Sequence, residues 1–368
     1  MKLKPYHHHW LISKKQAWLI LSLVFCLSSL LLYAYFWFFS PTKLQIVYQN
    51  WDGPVYAVIA QSLYNPQVIA HNPYSIFKLP EDFASSFPLY PLIIRLFSFV
   101  GYFTATILVS LLFSLAAIIA FYELLRINRL TKKPLMLALI FIFLPPRWFI
   151  SSHIGSSEPL FIFLILMSLI YFFRRRYLPS GIFLALAQLA RSQAILFFIA
   201  YGLMALRDAF NHRRLPLKFW PYLLSPLGLL GFFAYLKYQY GNFLAFFEAL
   251  NKWPVKASFP FQVFTAYPHP LLPTFSLENH FWIYLVNILA TIWLFKRHQP
   301  FLALLAAIYT LAMSFIIHID LARYNLPLIP FILIAFESII TTKSFLAAVL
   351  ILLPALYGFT VKFMFFNR

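Results

Sequence analysis

The sequence predicts an all-α fold, a polytopic membrane helix bundle, and three observations carry that prediction. Hydrophobic residues fill 62% of the 368 positions and charged residues only 11%, against roughly 25% charged in soluble domains. Apolar runs of membrane length recur along the whole chain. Basic residues outnumber acidic ones 29 to 10, and their clusters fall between the runs, as positive-inside topology requires. The net charge of +19 is therefore read as topology plus attraction to anionic membrane lipids, not as nucleic-acid binding. Cys26 is the only cysteine and lies inside the first apolar run, which leaves no disulfide frame and no thiol–metal site.

Residues 1–16 form a basic tail expected in the cytoplasm, 17–361 a single transmembrane domain, and 362–368 a short C-terminal tail. His7, His8 and His9 in the first tail are read as incidental and not as a metal site. The run 17–39 is too long for a signal-peptide core, so an uncleaved, outward-crossing anchor is expected. A long outer loop, 40–101, follows and carries short interfacial helices. In it Val55, Ile59 and Leu63 recur at helical spacing, which predicts an amphipathic helix on the membrane surface. Gly53-Pro54 suits its first turn, because proline loses nothing where backbone N–H groups lack an intrahelical partner. The stretch 87–100 contains Arg95 and is too short to span, so a second interfacial or re-entrant helix is expected.

Full spans are then expected at 102–125 and 134–150, and at 159–173 before Arg174-Arg175-Arg176. The stretch 180–206 is interrupted by Arg191-Ser192 and predicts two short helices meeting at an outer turn, because Arg207, Arg213, Arg214 and Lys218 follow on the inside. A span at 219–236 leads to a second outer loop, 237–279, expected to cover a site. Spans at 281–295, 301–317, 325–340 and 345–361 complete a count of about eleven, with the N-terminus inside.

That topology was drawn from the cations, yet it sorts the acids. Seven of the ten, Asp52, Glu81, Asp82, Glu158, Glu248, Glu278 and Asp320, fall outside; Glu123, Asp208 and Glu337 do not. His71, His153, His269, His280 and His318 lean outward as well. Ionisable groups gathered on one face of an apolar bundle are costly and mark a site. Nucleotide-driven chemistry has no support, since Walker, GxGxxG, HExxH and cysteine-based metal patterns are all missing. No cofactor is expected, with a divalent metal left open. Asp52, between Trp51 and Gly53-Pro54, has two readings: a general base at the membrane interface, or an N-cap for the helix it precedes.

Six segments, met in order, carry a resemblance. Trp51-Asp52-Gly53-Pro54-Val55-Tyr56 with Ile59-Ala60 is similar to a WDGxWYxxIA motif, and Phe87-Pro88-Leu89-Tyr90-Pro91-Leu92-Ile93-Ile94-Arg95 to FPLYPLLxR. Ser157-Glu158-Pro159-Leu160-Phe161 is similar to SESLF, and Leu189-Ala190-Arg191-Ser192 to LTRS. Gly241-Asn242-Phe243-Leu244-Ala245-Phe246 is similar to GDPLAF, and Arg323-Tyr324-Asn325-Leu326-Pro327 to RYxLP. The chain thus resembles the PIG-V-type mannosyltransferases, members of the GT-C class of integral-membrane glycosyltransferases. Pro54, Pro159 and Asn242 depart from the family pattern, which bears on sugar and acceptor more than on reaction type.

The resemblance implies a GT-C-type bundle and an inverting transfer of a sugar, most often mannose, from a polyprenyl-phosphate donor. The acceptor is expected to be a hydroxyl of a lipid or glycan, and the site to face the extracytoplasmic side of a bacterial plasma membrane. Neither nucleic acid nor an obligate protein partner is expected. Asp52 is then the base. Arg323, Arg191 and Arg95 are the candidates for the donor phosphate, because guanidinium pairs with phosphate in a fork and stays charged. Their bland roles are snorkelling or pairing with Asp320, Glu158 or Asp82. Trp51, Tyr56, Tyr90, Glu158, His318 and Asp320 are candidates for the substrate wall, although Trp51, Trp148, Trp253, Tyr48 and Tyr90 also suit an interfacial belt. The rival class is a transporter or lipid flippase; the paired internal repeats typical of one are not found. A third is a structural subunit of a membrane complex.

Overall fold

The computed structural model describes residues 13–75, 79–213, 216–252, 256–265, 274–318 and 320–366. The readings placed on His7, His8, His9, Arg214, Trp253 and His269 lie outside the described residues. Within them the chain is almost wholly helical, and strand pairing is confined to Lys256–Ala257 against Ile316–Ile317, antiparallel.

Five helices are long and apolar enough to cross a membrane: Lys14–Phe39, Tyr102–Ile127, Ala194–His212, Leu217–Tyr240 and Lys343–Phe366. A sixth crossing arises if Pro134–Phe143 and Pro146–His153 count together. Shorter apolar helices, Glu158–Phe173, Tyr177–Ala190, Pro300–Ser314 and Leu326–Ala335, complete a multi-pass helical membrane bundle. The span expected over 134–150 is bent by 72°, because consecutive Pro145 and Pro146 supply no N–H and crowd the preceding turn. The bend turns Trp148 inward to stack on Phe141 at 4.7 Å, so it is buried and does not join an interfacial belt. Tyr90, read the same way, is also buried.

The two ends of the bundle differ in their chemistry. At one, the three acids left out of the outer set each meet cations. Glu123 accepts from Arg126 at 2.7 Å and from the Trp18 indole at 3.0 Å. Asp208 pairs with Lys218 at 2.9 Å. Glu337 meets Arg297 and Thr131, while Arg297 also donates to the Ile334 and Leu130 carbonyls at 2.8 and 3.3 Å. Arg174–Arg176 follow Phe172, whose ring lies 4.5 Å from that of Phe301 beside this cluster. Buried or half-buried charges need such partners.

The opposite end holds the short elements. Helix Gly53–Ser62 is not the surface helix expected: all but Pro54 and Gln61 are buried, and it is wedged against Leu89–Leu96 and Tyr102–Ile127. The reason lies in its circumference. Gly53, Ala57 and Ala60 make it narrow, and apart from Gln61 and Ser62 at its end its side chains are apolar or, at Tyr56, hydrogen-bonded, which is the signature of a buried helix. Leu89–Leu96 is a short two-faced helix, burying Tyr90, Pro91 and Ile94 while exposing Leu92 and Leu96. The interruption at Arg191-Ser192 is real: Tyr177–Ala190 ends there and Ala194–His212 begins, with Arg191 fully extended (φ −156°, ψ 146°). Helix Ala245–Asn251, in the loop expected to cover a site, packs on residues 80–85, with Lys252 pairing Asp82 at 2.6 Å.

With Cys26 replaced by Ser, a cysteine at Lys132 or Arg175 should resist an impermeant thiol reagent in sealed cells, and one at the exposed Val68 should label. The reverse pattern would put the Asp52 end in the cytoplasm.

Candidate functional site

The site is assembled where four chain interruptions meet, and the first is the turn that presents Asp52. Asn50 anchors it, donating to the Ile46 carbonyl at 2.8 Å and the Met364 carbonyl at 3.0 Å. Trp51 adopts a left-handed conformation (φ 50°), a strain of order 1–3 kcal/mol for a non-glycine residue, and this aims its indole into the cluster. Gly53 lies against Gly155, where an added Cβ would fall 2.9 Å from the Gly53 Cα and from Thr106 Oγ1. That close approach sets the Asp52 turn beside the 155–157 loop, and so beside Glu158.

Asp52 does not cap. Its side chain makes no hydrogen bond to the helix it precedes; Oδ2 accepts from Arg323 Nη2 at 2.8 Å. Glu158 is buried and sits between two guanidiniums, with Arg191 Nη1 at 2.7 Å and Arg323 Nε in direct contact, while Ser156 donates to its other oxygen. Arg191 also donates to Ser157 Oγ at 2.9 Å and Gln193 Oε1 at 3.0 Å. Arg323 therefore bridges Asp52 and Glu158, and its guanidinium lies 4.2 Å from the Trp51 ring centroid, within cation–π range. Burial opposes its charge, but Glu158 and then Asp52 more than offset this and hold it protonated well above the ordinary arginine range.

Asp320 joins the far side. It accepts from the Arg323 backbone N–H at 3.3 Å, capping Leu321–Tyr324, and from Arg147 Nε at 3.0 Å. Arg147 lies 4.3 Å from the Phe363 ring and 5.6 Å from Trp51. His318 accepts from the Asp320 N–H through Nδ1 at 2.9 Å. Burial pushes its ring down to about 4, against the pull of Asp320, so it is neutral near pH 7. Beside Arg147 and Asp320 opens a groove of about 680 Å³, otherwise walled largely by apolar side chains such as Trp282, Val286, Ile332 and Phe359.

Of the residues singled out from sequence, the structure brings together Asp52, Trp51, Glu158, Arg191, Asp320, His318 and Arg323. Tyr56 reaches the edge, its hydroxyl 2.9 Å from Ser157 Oγ. Tyr90 stands one layer behind, donating to the Thr106 carbonyl at 2.7 Å and accepting from the Ser156 N–H at 3.0 Å, which fixes the loop before Glu158. Arg95 is elsewhere. It donates to the Ala60 and Gln61 carbonyls at 2.9 and 3.1 Å, capping the far end of helix Gly53–Ser62, roughly 12 Å along it from Asp52. Arg147 was missed; the available signal was a cation inside an apolar run, which demands an inward partner. Among the described residues no group of three or more His, Cys, Asp or Glu is placed to hold a metal ion. No protein-family model and no curated protein matches the chain.

Chemically, the cluster offers one carboxylate, Asp52, on a site-facing turn, and a row of guanidiniums suited to an anion. Glu158→Gln should leave Arg191 and Arg323 facing a neutral amide, lowering stability by about 3–5 kcal/mol in detergent unfolding; a loss no larger than that of Asp52→Asn would contradict this. His318 adds a pH dependence. Its folded value lies below the 6.5 of the free side chain, so its contribution is complete above pH 6.5 and is lost as pH falls toward 4. A His318→Gln variant should show a flatter decline in melting temperature across that window.

Proposed function

We propose that the protein is an inverting glycosyltransferase of the GT-C type. It moves a sugar, mannose by the resemblance, from a polyprenyl-phosphate donor to a hydroxyl of a lipid-linked or glycan acceptor. In this reading the chain crosses a bacterial plasma membrane about eleven times and the Asp52 end faces outward. The observation that carries the proposal is Asp52, a carboxylate at a helix start that leaves the cap unused and meets Arg323 instead.

Transfer to a hydroxyl needs a group to take the acceptor proton, positive charge for the departing phosphate, and alignment of two substrates. The acceptor oxygen forms a bond to the anomeric carbon as the bond to the phosphate oxygen breaks. Its proton passes to Asp52, and the electron pair leaves with the lipid phosphate. Attack opposite the leaving group inverts the anomeric centre, as in inverting glycoside chemistry. Arg323 stands next to the base and supplies cationic charge at the reacting end. Glu158 holds Arg323 and Arg191 in place, and Trp51 supports Arg323 from below.

A transporter or flippase would share the apolar bundle and broken helices. The grouping of the charges at one end, opposite the Glu123, Asp208 and Glu337 pairs, favours chemistry at a surface over passage through mid-depth.

Asp52→Asn keeps shape and capping ability and removes the base. Transfer from a polyprenyl-phosphate sugar by the purified variant should fall by about two to four orders of magnitude, with donor affinity retained. Wild-type turnover in that variant would end the claim.

A further inference from the structure

Arg147 is the guanidinium at this end whose geometry is unfinished. It is largely withdrawn from solvent, with 22% of the side chain exposed, and its Nε is committed to Asp320. Its Nη1 is buried without a hydrogen-bond partner among the described residues. Buried guanidinium nitrogens are almost always paired. Arg147 and Arg323 lie over the same indole, 5.6 and 4.2 Å from the Trp51 centroid. Two like charges over one ring form a place where an anion is favourable. Arg323 is already shared between Asp52 and Glu158, so the unused donor belongs to Arg147.

The groove beside it supplies the second half. Arg147, Asp320 and His280 line its polar end. From Asn279 to Val286, two of its wall residues on one helix, it descends roughly 10 Å into the apolar part of the bundle. Trp282, Val286 and Phe359 on its wall are partly exposed on the outside of the bundle, so the groove opens sideways toward lipid. Its volume of about 680 Å³ falls in the range of small-molecule sites. A free inorganic anion would meet one guanidinium edge with Asp320 beside it, a poor site. An amphiphile with an anionic head adds apolar burial along the groove.

We propose that Arg147 and this groove are the seat of a prenyl-chain lipid phosphate: the guanidinium takes the phosphate and the groove takes the first part of the chain. The inference rests on the transferase reading and deepens it, moving the donor phosphate from Arg191 and Arg95 to Arg147. Arg191 is occupied by Glu158, Ser157 and Gln193, and Arg95 caps a helix end.

The test is binding of a long-chain polyprenyl phosphate to the purified full chain, followed by native mass spectrometry or tryptophan quenching, with no transfer required. Arg147→Gln should weaken binding about ten- to a hundred-fold, and Arg147→Lys should restore only part of it, since the planar fork is lost. Val286→Trp, on the groove wall and clear of the charges, should weaken binding with Arg147 intact, so the result does not hang on one variant's folding. The matching uncharged polyprenol should bind at least ten-fold more weakly, and neither inorganic phosphate nor a bulk phospholipid should displace the probe. Unchanged binding in both Arg147→Gln and Val286→Trp overturns the proposal, as does equal binding of the polyprenol or displacement by phosphate or phospholipid. Its failure is separable from failure of the transferase reading: Asp52→Asn should bind the probe normally, and a silent Arg147 would leave the Asp52→Asn loss of transfer in place.

Discussion

Burying the Glu158 carboxylate is the constraint around which this end of the protein is arranged. A carboxylate withdrawn from water costs several kcal/mol unless cations and hydrogen bonds replace its hydration, and here two guanidiniums and a serine hydroxyl do so. Both arginines come from places where a helix stops. Arg191 is the extended residue between Tyr177–Ala190 and Ala194–His212, and Arg323 sits in the single turn that Asp320 caps after the Ile316–Ile317 strand. A continuous helix would carry either side chain past Glu158 instead of toward it. The breaks in this bundle are therefore conditions of the charge pairing. At two of the loops, side chains take up backbone N–H groups: Asp320 accepts from that of Arg323 and Tyr90 from that of Ser156.

A second layer of packing determines what else meets the pair. Gly53 and Gly155 allow two backbones to touch, and the Tyr90 hydroxyl locks the loop before Glu158 to helix Tyr102–Ile127. Asn50 ties the Asp52 turn to the end of the last helix through the Met364 carbonyl. That helix, Lys343–Phe366, is otherwise largely exposed along its length. Its last turns matter all the same: Phe363 meets both the Trp51 ring, at 5.5 Å, and the Arg147 guanidinium, at 4.3 Å. The first and last parts of the chain thus form one wall, which makes the geometry at Asp52 sensitive to a helix some three hundred residues away.

Much of this was legible in the sequence for one reason. Charges inside an apolar chain have few places to go, so Asp52, Glu158, Arg191 and Arg323 stood out, and the Arg191-Ser192 interruption marked a real break. What stayed hidden depended on contacts between distant segments. Val55, Ile59 and Leu63 at helical spacing suit a surface helix as well as a buried one; Gly155 and the neighbouring helices, not the local pattern, decide that helix Gly53–Ser62 is buried. Aromatic residues at the ends of apolar runs look alike whether they face lipid or core, so Trp148 and Tyr90 were misplaced. Arg147 was concealed because Pro145-Pro146 bends what otherwise scans as one span. Arg95 sits in a motif with Pro88 and Pro91, yet its partners are two carbonyls, which no side-chain pattern announces.

The charges of this cluster also balance, with three guanidiniums, Arg147, Arg191 and Arg323, against three carboxylates, Asp52, Glu158 and Asp320. A cluster that is neutral overall attracts an anion through its local donors and not by net charge, and the donor left open is Arg147 Nη1. The two carboxylates on Arg323 are unequal. Glu158 is 1% exposed and held on several sides, whereas Asp52 is 29% exposed and, among the described residues, held only by Arg323. Water can solvate the carboxylate that is let go only at Asp52, so displacement there costs less than displacement of Glu158. On the transferase reading this links the two halves of the chemistry. Asp52 can turn from Arg323 to the acceptor hydroxyl, while Glu158 keeps Arg323 and Arg191 in place and Arg147 takes the donor phosphate.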